Sequence, residues 1–245
     1  MRVALFIPCY IDQFYPNVGI ASLQLLNKLG CDVSFPMEQT CCGQPMANSG
    51  FSSLSKGCDA NFVKNFTGYD YIVAPSGSCV LHIKEHLHDD KHPLEAEKIR
   101  STVYELTEFL VDVLQVKSLN ARFPFKVGLH NSCHGQRMLH LSSMSERMLP
   151  AFSKPQDVLN MVQDIQVIKP KRTDECCGFG GTFCVFEEAV SVKMGKDRIS
   201  EHDANEVDYI TGVDSSCLMH LEGILNRQGN KIKTIHIAEI LNSSL

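Results

Sequence analysis

Cys41-Cys42-Gly43 recurs as Cys176-Cys177-Gly178 within 245 residues, and the architecture of the chain follows from that repetition. The flanking sequence repeats as well. Ile7-Pro8-Cys9 precedes the first copy, and Asn131-Ser132-Cys133 precedes the second. Downstream, the stretch from Tyr71 through Cys79 to His82 is echoed from Tyr209 through Cys217 to His220. Leu106-Thr107-Glu108-Phe109-Leu110 is echoed by Ile237-Ala238-Glu239-Ile240-Leu241. The paired positions lie 124 residues apart at Cys9 and Cys133, 135 at the doublets, 138 at Cys79 and Cys217, and 131 at the tails. Offsets that drift without reversing order are what an internal duplication with loop insertions leaves. The chain therefore divides into two homologous halves, residues 1–121 and 122–245, each long enough to bury a core.

Composition narrows the class. Apolar content of 44% and charge of 21% fit an ordinary soluble globular protein. A net charge of −5 without a long basic run argues against a nucleic-acid partner. Lys169-Pro170-Lys171-Arg172 reads as a solvated loop. No run of 18 apolar residues occurs, so no membrane span is expected. Met1 to Cys9 is apolar but short, lacks a small-residue cleavage site after it, and reads as a buried first strand. The expected location is cytoplasmic and reducing. Eleven cysteines, an odd number in a chain larger than disulfide-stapled scaffolds, then point to metal or redox chemistry.

Apolar runs at 2–8, 31–35 and 69–75 predict strands in the first half. Helical patterns from about Pro16 to Leu29, from Ser49 to Gly68, from Cys79 onward and over 94–117 predict the helices between them. The second half repeats this order, with strands at 125–130, 164–168, 206–213 and 231–236. Helical stretches are expected over 142–162, broken near Pro150 and Pro155, over 183–201, from Cys217 onward, and at the C-terminus. Strands alternating with helices predict an α/β fold of two pseudo-symmetric halves, each a small parallel sheet flanked by helices. In such sheets ligand sites lie beyond the carboxyl ends of the strands. The first cysteine, the doublet and the third cysteine of each half all fall there.

Two sets of four thiols result: Cys9, Cys41, Cys42 and Cys79, then Cys133, Cys176, Cys177 and Cys217. Four thiolates suit tetrahedral zinc or an iron–sulfur cluster. Adjacent side chains on an extended backbone point to opposite faces, so a vicinal pair reaches one centre only through a kinked loop. A polynuclear cluster accepts that geometry more easily than one zinc ion. Gly43 and Gly178 permit the kink and close backbone approach. Cys31, Cys58 and Cys184 lack a counterpart in the other half and read as bystander thiols. His134 and Arg137 read as ordinary polar contacts near a helix start. The glycines at 178, 180 and 181 read as a tight turn around a cluster rather than a phosphate cradle.

These motifs resemble the CCG cysteine-rich domain family, which includes heterodisulfide reductase B subunits, glycolate oxidase iron–sulfur subunits and lactate-utilisation proteins. Cys41-Cys42-Gly43-Gln44-Pro45 with Asn48-Ser49-Gly50, Cys176-Cys177-Gly178-Phe179-Gly180-Gly181-Thr182-Phe183, and His236-Ile237-Ala238-Glu239 most resemble the lactate-utilisation branch. The resemblance implies one cluster per half, a [4Fe–4S] cluster in a subunit that transfers electrons taken from L-lactate as it becomes pyruvate. It also implies partner subunits, one ferredoxin-like with iron–sulfur centres and a third besides. The family's last cysteine is replaced in both halves, by His82 and His220, which are candidate ligands or proton relays. Without that cysteine, the five-cysteine cluster of a thiol–disulfide (heterodisulfide-type) reductase is the less simple expectation. A zinc-binding scaffold without redox role, or zinc in one half, is the remaining alternative.

Overall fold

A computed structural model describes residues 1–148 and 150–243, so the expected end of the second half at Leu245 lies outside the described residues. Eight strands form two four-stranded sheets, each wholly parallel. The first contains β1 (Arg2–Leu5), β2 (Asp32–Ser34), β3 (Tyr71–Ala74) and β4 (Val103–Glu105) in the order β2-β1-β3-β4. The second contains β5 (Lys126–Leu129), β6 (Gln166–Ile168), β7 (Tyr209–Gly212) and β8 (Lys233–His236) in the order β6-β5-β7-β8. The halves thus share one topology and one register: Val3 pairs with Tyr71, and Val127 with Tyr209.

The first half carries α1 (Cys9–Phe14), α2 (Pro16–Lys28), α3 (Gln44–Asn48), α4 (Lys56–Phe66), α5 (Gly77–His86), α6 (Pro93–Thr102) and α7 (Leu106–Glu108). The second carries α8 (Lys154–Leu159), α9 (Phe183–Phe186), α10 (Glu188–Asp203), α11 (Ser215–Gln228) and α12 (Ile237–Leu241). Val18, Ala21, Leu25 and Leu26 of α2 are buried at helical spacing, and Leu218, Leu221, Ile224 and Leu225 do the same for α11.

Three helical expectations require correction. Residues 94–117 are not one helix. α6 ends at Thr102, Val103-Tyr104-Glu105 joins the sheet as β4, and Glu105 opens a new helical turn. Glu105 and Glu108 form a reciprocal capping box there, satisfying N–H groups at a helix start. Among the described residues of 142–162, the helical stretches are a short 3₁₀ turn at Ser145–Arg147 and α8, because Ser142 bridges Ser153 in antiparallel fashion. Likewise α9 and α10 are separate helices that meet at Glu187.

Each half's closing helix docks on the other half. α12 packs against α2, and α7 against α8. Asn242 donates to Gln24 Oε1 at 2.7 Å and accepts from Lys28 Nζ at 2.8 Å, which pins one of these exchanges. Lys154 Nζ and Asp112 Oδ2, 2.5 Å apart, pin the other. One apolar cluster consequently runs through both halves, from Val3, Phe6 and Phe109 to Val127, Leu141 and Ile237. A smaller cluster, including Ile210, Leu221 and Leu225, fills the space around β7, α10 and α11. This shared core fixes the relative placement of the two sheets and of what lies at their carboxyl ends.

Candidate metal centres

Strand order reverses between the first and third strands of each sheet, and crevices at such points are where parallel sheets hold ligands. In the first half Cys9 opens α1 just beyond β1, and Cys79 sits in the first turn of α5 beyond β3. Ser76 caps α5 by accepting from the Cys79 N–H. The doublet enters from the loop after β2. Gly43 stands at φ +89°, a left-handed conformation that turns the chain into α3. Its N–H points back at Cys41 Sγ, 3.4 Å away, and Cys9 Sγ lies 3.7 Å from Cys41 Sγ. The second half repeats the arrangement with Gly178 at φ +91° and its N–H 3.3 Å from Cys176 Sγ. Cys42, Cys79, Cys177 and Cys217 are buried, while Cys9, Cys41, Cys133 and Cys176 are half-buried, and all eight are free thiols. All eight sequence-predicted cysteines are brought to the strand ends.

Electrostatics separates these thiols. Contacts with the Cys42 and Cys9 thiols, aided by the Gly43 N–H, hold Cys41 down at about 2. Contacts with Cys133 and Cys177 do the same for Cys176, also about 2. Their neighbours move the other way: Cys9 and Cys42 are raised through Cys41, and Cys133 and Cys177 through Cys176. Four crowded thiols can ionise together only when a multivalent cation removes the mutual repulsion. The donor set therefore fits a metal or an iron–sulfur cluster, and the N-termini of α5 and α11 add favourable positive potential at each site.

His82 and His220 stand one turn into α5 and α11. A Cβ built on Gly43 would meet His82 Nε2 at 3.7 Å, so the imidazole packs over the doublet's glycine. Desolvation, with His86 beside it, lowers His82 to about 4, and its ring lies 5.1 Å from that of His86. His220 Nε2 instead faces Ser191, 3.3 Å from its carbonyl and 3.4 Å from its hydroxyl. Cys31 is buried in the first core, and Cys184 donates to the Gly181 carbonyl at 3.0 Å. Cys58 lies nearer the first site than the sequence indicates, its Cβ 3.6 Å from a Cβ built on Gly43. Arg137 pairs with Glu146 at 3.1 Å.

Two features were missed by sequence reasoning. One is Asp214, which crosses between the halves. Its Oδ1 accepts from Ser76 Oγ at 3.1 Å and the Ser78 N–H at 2.9 Å, while Gly77 N–H reaches the Val213 carbonyl at 3.3 Å. These bonds tie the third-strand ends of both sheets together, between the two sites. The other is His130, whose nitrogen lies with Cys177 Sγ and Cys217 Sγ in a group whose donor atoms are all within 4.8 Å of one another. Its signal was the alignment itself, which sets His130 against Phe6.

A cavity of about 220 Å³ opens over the first site, between the halves. Cys9, Cys42 and Cys79 form its floor, and Phe179, Thr182 and Val185 reach across from the second half. Among the described residues lining it, none is a lysine or arginine.

The cysteine-rich domain model named CCG matches residues 3–84 and 127–222. The chain is 39% identical over 246 residues to lactate utilization protein A of Geobacillus thermodenitrificans, covering 99% of each chain. It is 39% identical over 250 residues to the same-named protein of Exiguobacterium sp., covering 100% of this chain and 98% of that one. Among solved structures, a hypothetical protein from Helicobacter pylori superposes with a TM-score of 0.58 at 15% identity, over 98% of this chain and 48% of that one, a likeness of fold. No helix among the described residues is long and apolar enough to cross a membrane.

Proposed function

Because this chain belongs to the CCG cysteine-rich domain family, with full-length relatives named lactate utilization protein A, we propose that it is the iron–sulfur electron-transfer subunit of a multi-subunit L-lactate-oxidising system. The observation that carries this reading is the convergence of four free thiols at the same switch point of each sheet. In this reading Cys9, Cys41, Cys42 and Cys79 hold one cluster and Cys133, Cys176, Cys177 and Cys217 the other, each a [4Fe–4S] centre. Such a cluster, when bound, takes up and releases single electrons.

The chain's own residues supply the rest. The Gly43 and Gly178 N–H groups stabilise negative charge on Cys41 and Cys176. The Asp214 bridge holds the two sites at fixed separation. Lactate oxidation itself is assigned to a partner. An α-hydroxy carboxylate calls for a cationic anchor, and the cavity over the first site has no lysine or arginine among the described residues lining it. The ferredoxin-like and third subunits of the system are the expected donors or acceptors, in the cytoplasm.

The test is reconstitution under anaerobic conditions with the partner subunits of such a system. L-lactate should then reduce an artificial acceptor only when this chain is present with both doublets intact. Unchanged lactate-dependent reduction after omission of this chain would contradict the assignment.

A further inference from the structure

Behind the doublets the two halves are built from opposite chemistry. In the first, Phe6 meets Phe62 and Phe66 edge-on, with ring centroids at 4.9 and 5.6 Å. Phe6 follows β1 and donates its N–H to the Val73 carbonyl at 2.9 Å. His130 follows β5 and donates its N–H to the Thr211 carbonyl at 2.8 Å, so the two positions correspond. Phe62 and Phe66 lie one turn apart on α4, and Arg198 and His202 lie one turn apart on the matching helix α10. An aromatic trio thus becomes a histidine, an arginine and a histidine, all buried. The sheet makes room for the change. At Gly128 a Cβ would come within 2.2 Å of His202 Nδ1, whereas the corresponding residue of the first sheet is Ala4.

Buried polar groups need partners, and leaving one unpaired costs about 1–3 kcal/mol. Arg198 places Nη1 on the Arg172 carbonyl at 2.5 Å, and Glu201 lies 3.4 Å from it. Both ring nitrogens of His130, at 2% exposure, have no partner. The ring lies where its nitrogen, Cys177 Sγ and Cys217 Sγ are all within 4.8 Å of one another, the compass of a shared metal ion. Phenylalanine fills the corresponding place in the first half at no such cost.

We propose that His130 is a nitrogen donor to the second metal centre, taking one iron in place of one of the four thiolates, so that the two centres of this chain differ in their ligands. The first half has a phenylalanine at the corresponding position. This rests on the proposal above that both halves hold metal. In place of a thiolate, a neutral imidazole with the buried Arg198 behind it leaves less negative charge on the centre, so the second centre would be the more easily reduced.

The experiment is pulsed EPR of the anaerobically reduced full-length chain, prepared with ¹⁴N- and with ¹⁵N-histidine. The variants are His130→Phe, which copies the first half, and the double variant His82→Gln/His220→Gln. Expected is a histidine-nitrogen coupling on one of two cluster signals, retained in the double variant and lost in His130→Phe, with that signal's midpoint potential moving down toward the other. Iron in both halves without any histidine coupling would overturn the proposal, as would a coupling that disappears in the double variant. If His130→Phe does not fold, the wild-type and double-variant spectra decide alone. Absence of metal from both halves would instead strike at the functional reading itself, and the iron content of the same samples distinguishes the two failures.

Discussion

Replacing Gly178 by alanine should cost more than the same change at Gly43, and much more than at Gly50. All three glycines are left-handed, at φ +91°, +89° and +83°, so each substitution carries backbone strain of about 1–2 kcal/mol. At Gly50 nothing lies within 4 Å of the added Cβ, and strain is the whole effect. At Gly43 the Cβ would come within 2.9 Å of Ser55 Cβ, adding overpacking of about 1–3 kcal/mol. At Gly178 it would meet the Ser191 carbonyl oxygen at 2.5 Å and Met194 Cβ at 2.8 Å, both fixed on α10. Relief there requires α10 to move, which breaks the Ser191 hydroxyl's 2.7 Å bond to the Gly178 carbonyl. The expected losses, from these same strain and overpacking ranges, are about 1 kcal/mol for Gly50→Ala, about 3 for Gly43→Ala and about 4–5 for Gly178→Ala. Urea unfolding of the three variants measures them, at constant slope. Equal losses at Gly178 and Gly50 would refute the close packing of the second doublet against α10.

Two further outcomes are expected. His236 is fully buried and desolvation lowers it to about 4, so below its ordinary 6.5 the unfolded chain binds a proton that the folded chain refuses. Stability from this residue is present above pH 6.5 and is lost as pH falls toward 4, by about 3 kcal/mol; His236→Gln should flatten the acid limb of a pH–stability curve, and an unchanged limb would count against the burial. Asp214→Ala should destabilise the chain by about 2 kcal/mol, since it strands the Ser76 hydroxyl and the Ser78 N–H between the halves. Asp214→Asn keeps the Oδ1 acceptor and should lose less than about 1 kcal/mol by thermal or urea melts; equal losses for the two would show that the bridge is not what the aspartate contributes.

The repeat, the parallel sheets and the placement of eight cysteines at strand ends were legible because each rests on order and spacing along the chain. The parts that escaped depend on contacts. β4 is three residues long, and Val103-Tyr104-Glu105 continues the apolar periodicity of α6, so only the pairing of Ile72 with Val103 reveals it. The exchange of α7 and α12 between halves leaves no local pattern, since both helices are apolar whichever half they cover. Arg198 is wholly buried on a helix whose charged residues would ordinarily face water, and its counterpart is a phenylalanine. Duplication drew attention to what the halves share. His130, Arg198 and His202 are informative because there the halves differ.

The central expectation is that each half holds its own metal centre at its converged cysteines. Its direct test is iron and sulfide analysis of anaerobically purified protein, alongside Cys41→Ser and Cys176→Ser. Expected is brown protein with about eight irons per chain, as two [4Fe–4S] clusters require, equal sulfide, and an EPR signal on reduction. Each serine variant should keep about half the iron and lose a different one of two signals. Colourless protein carrying stoichiometric zinc, or serine variants that lose all of the iron or none of it, would contradict the claim.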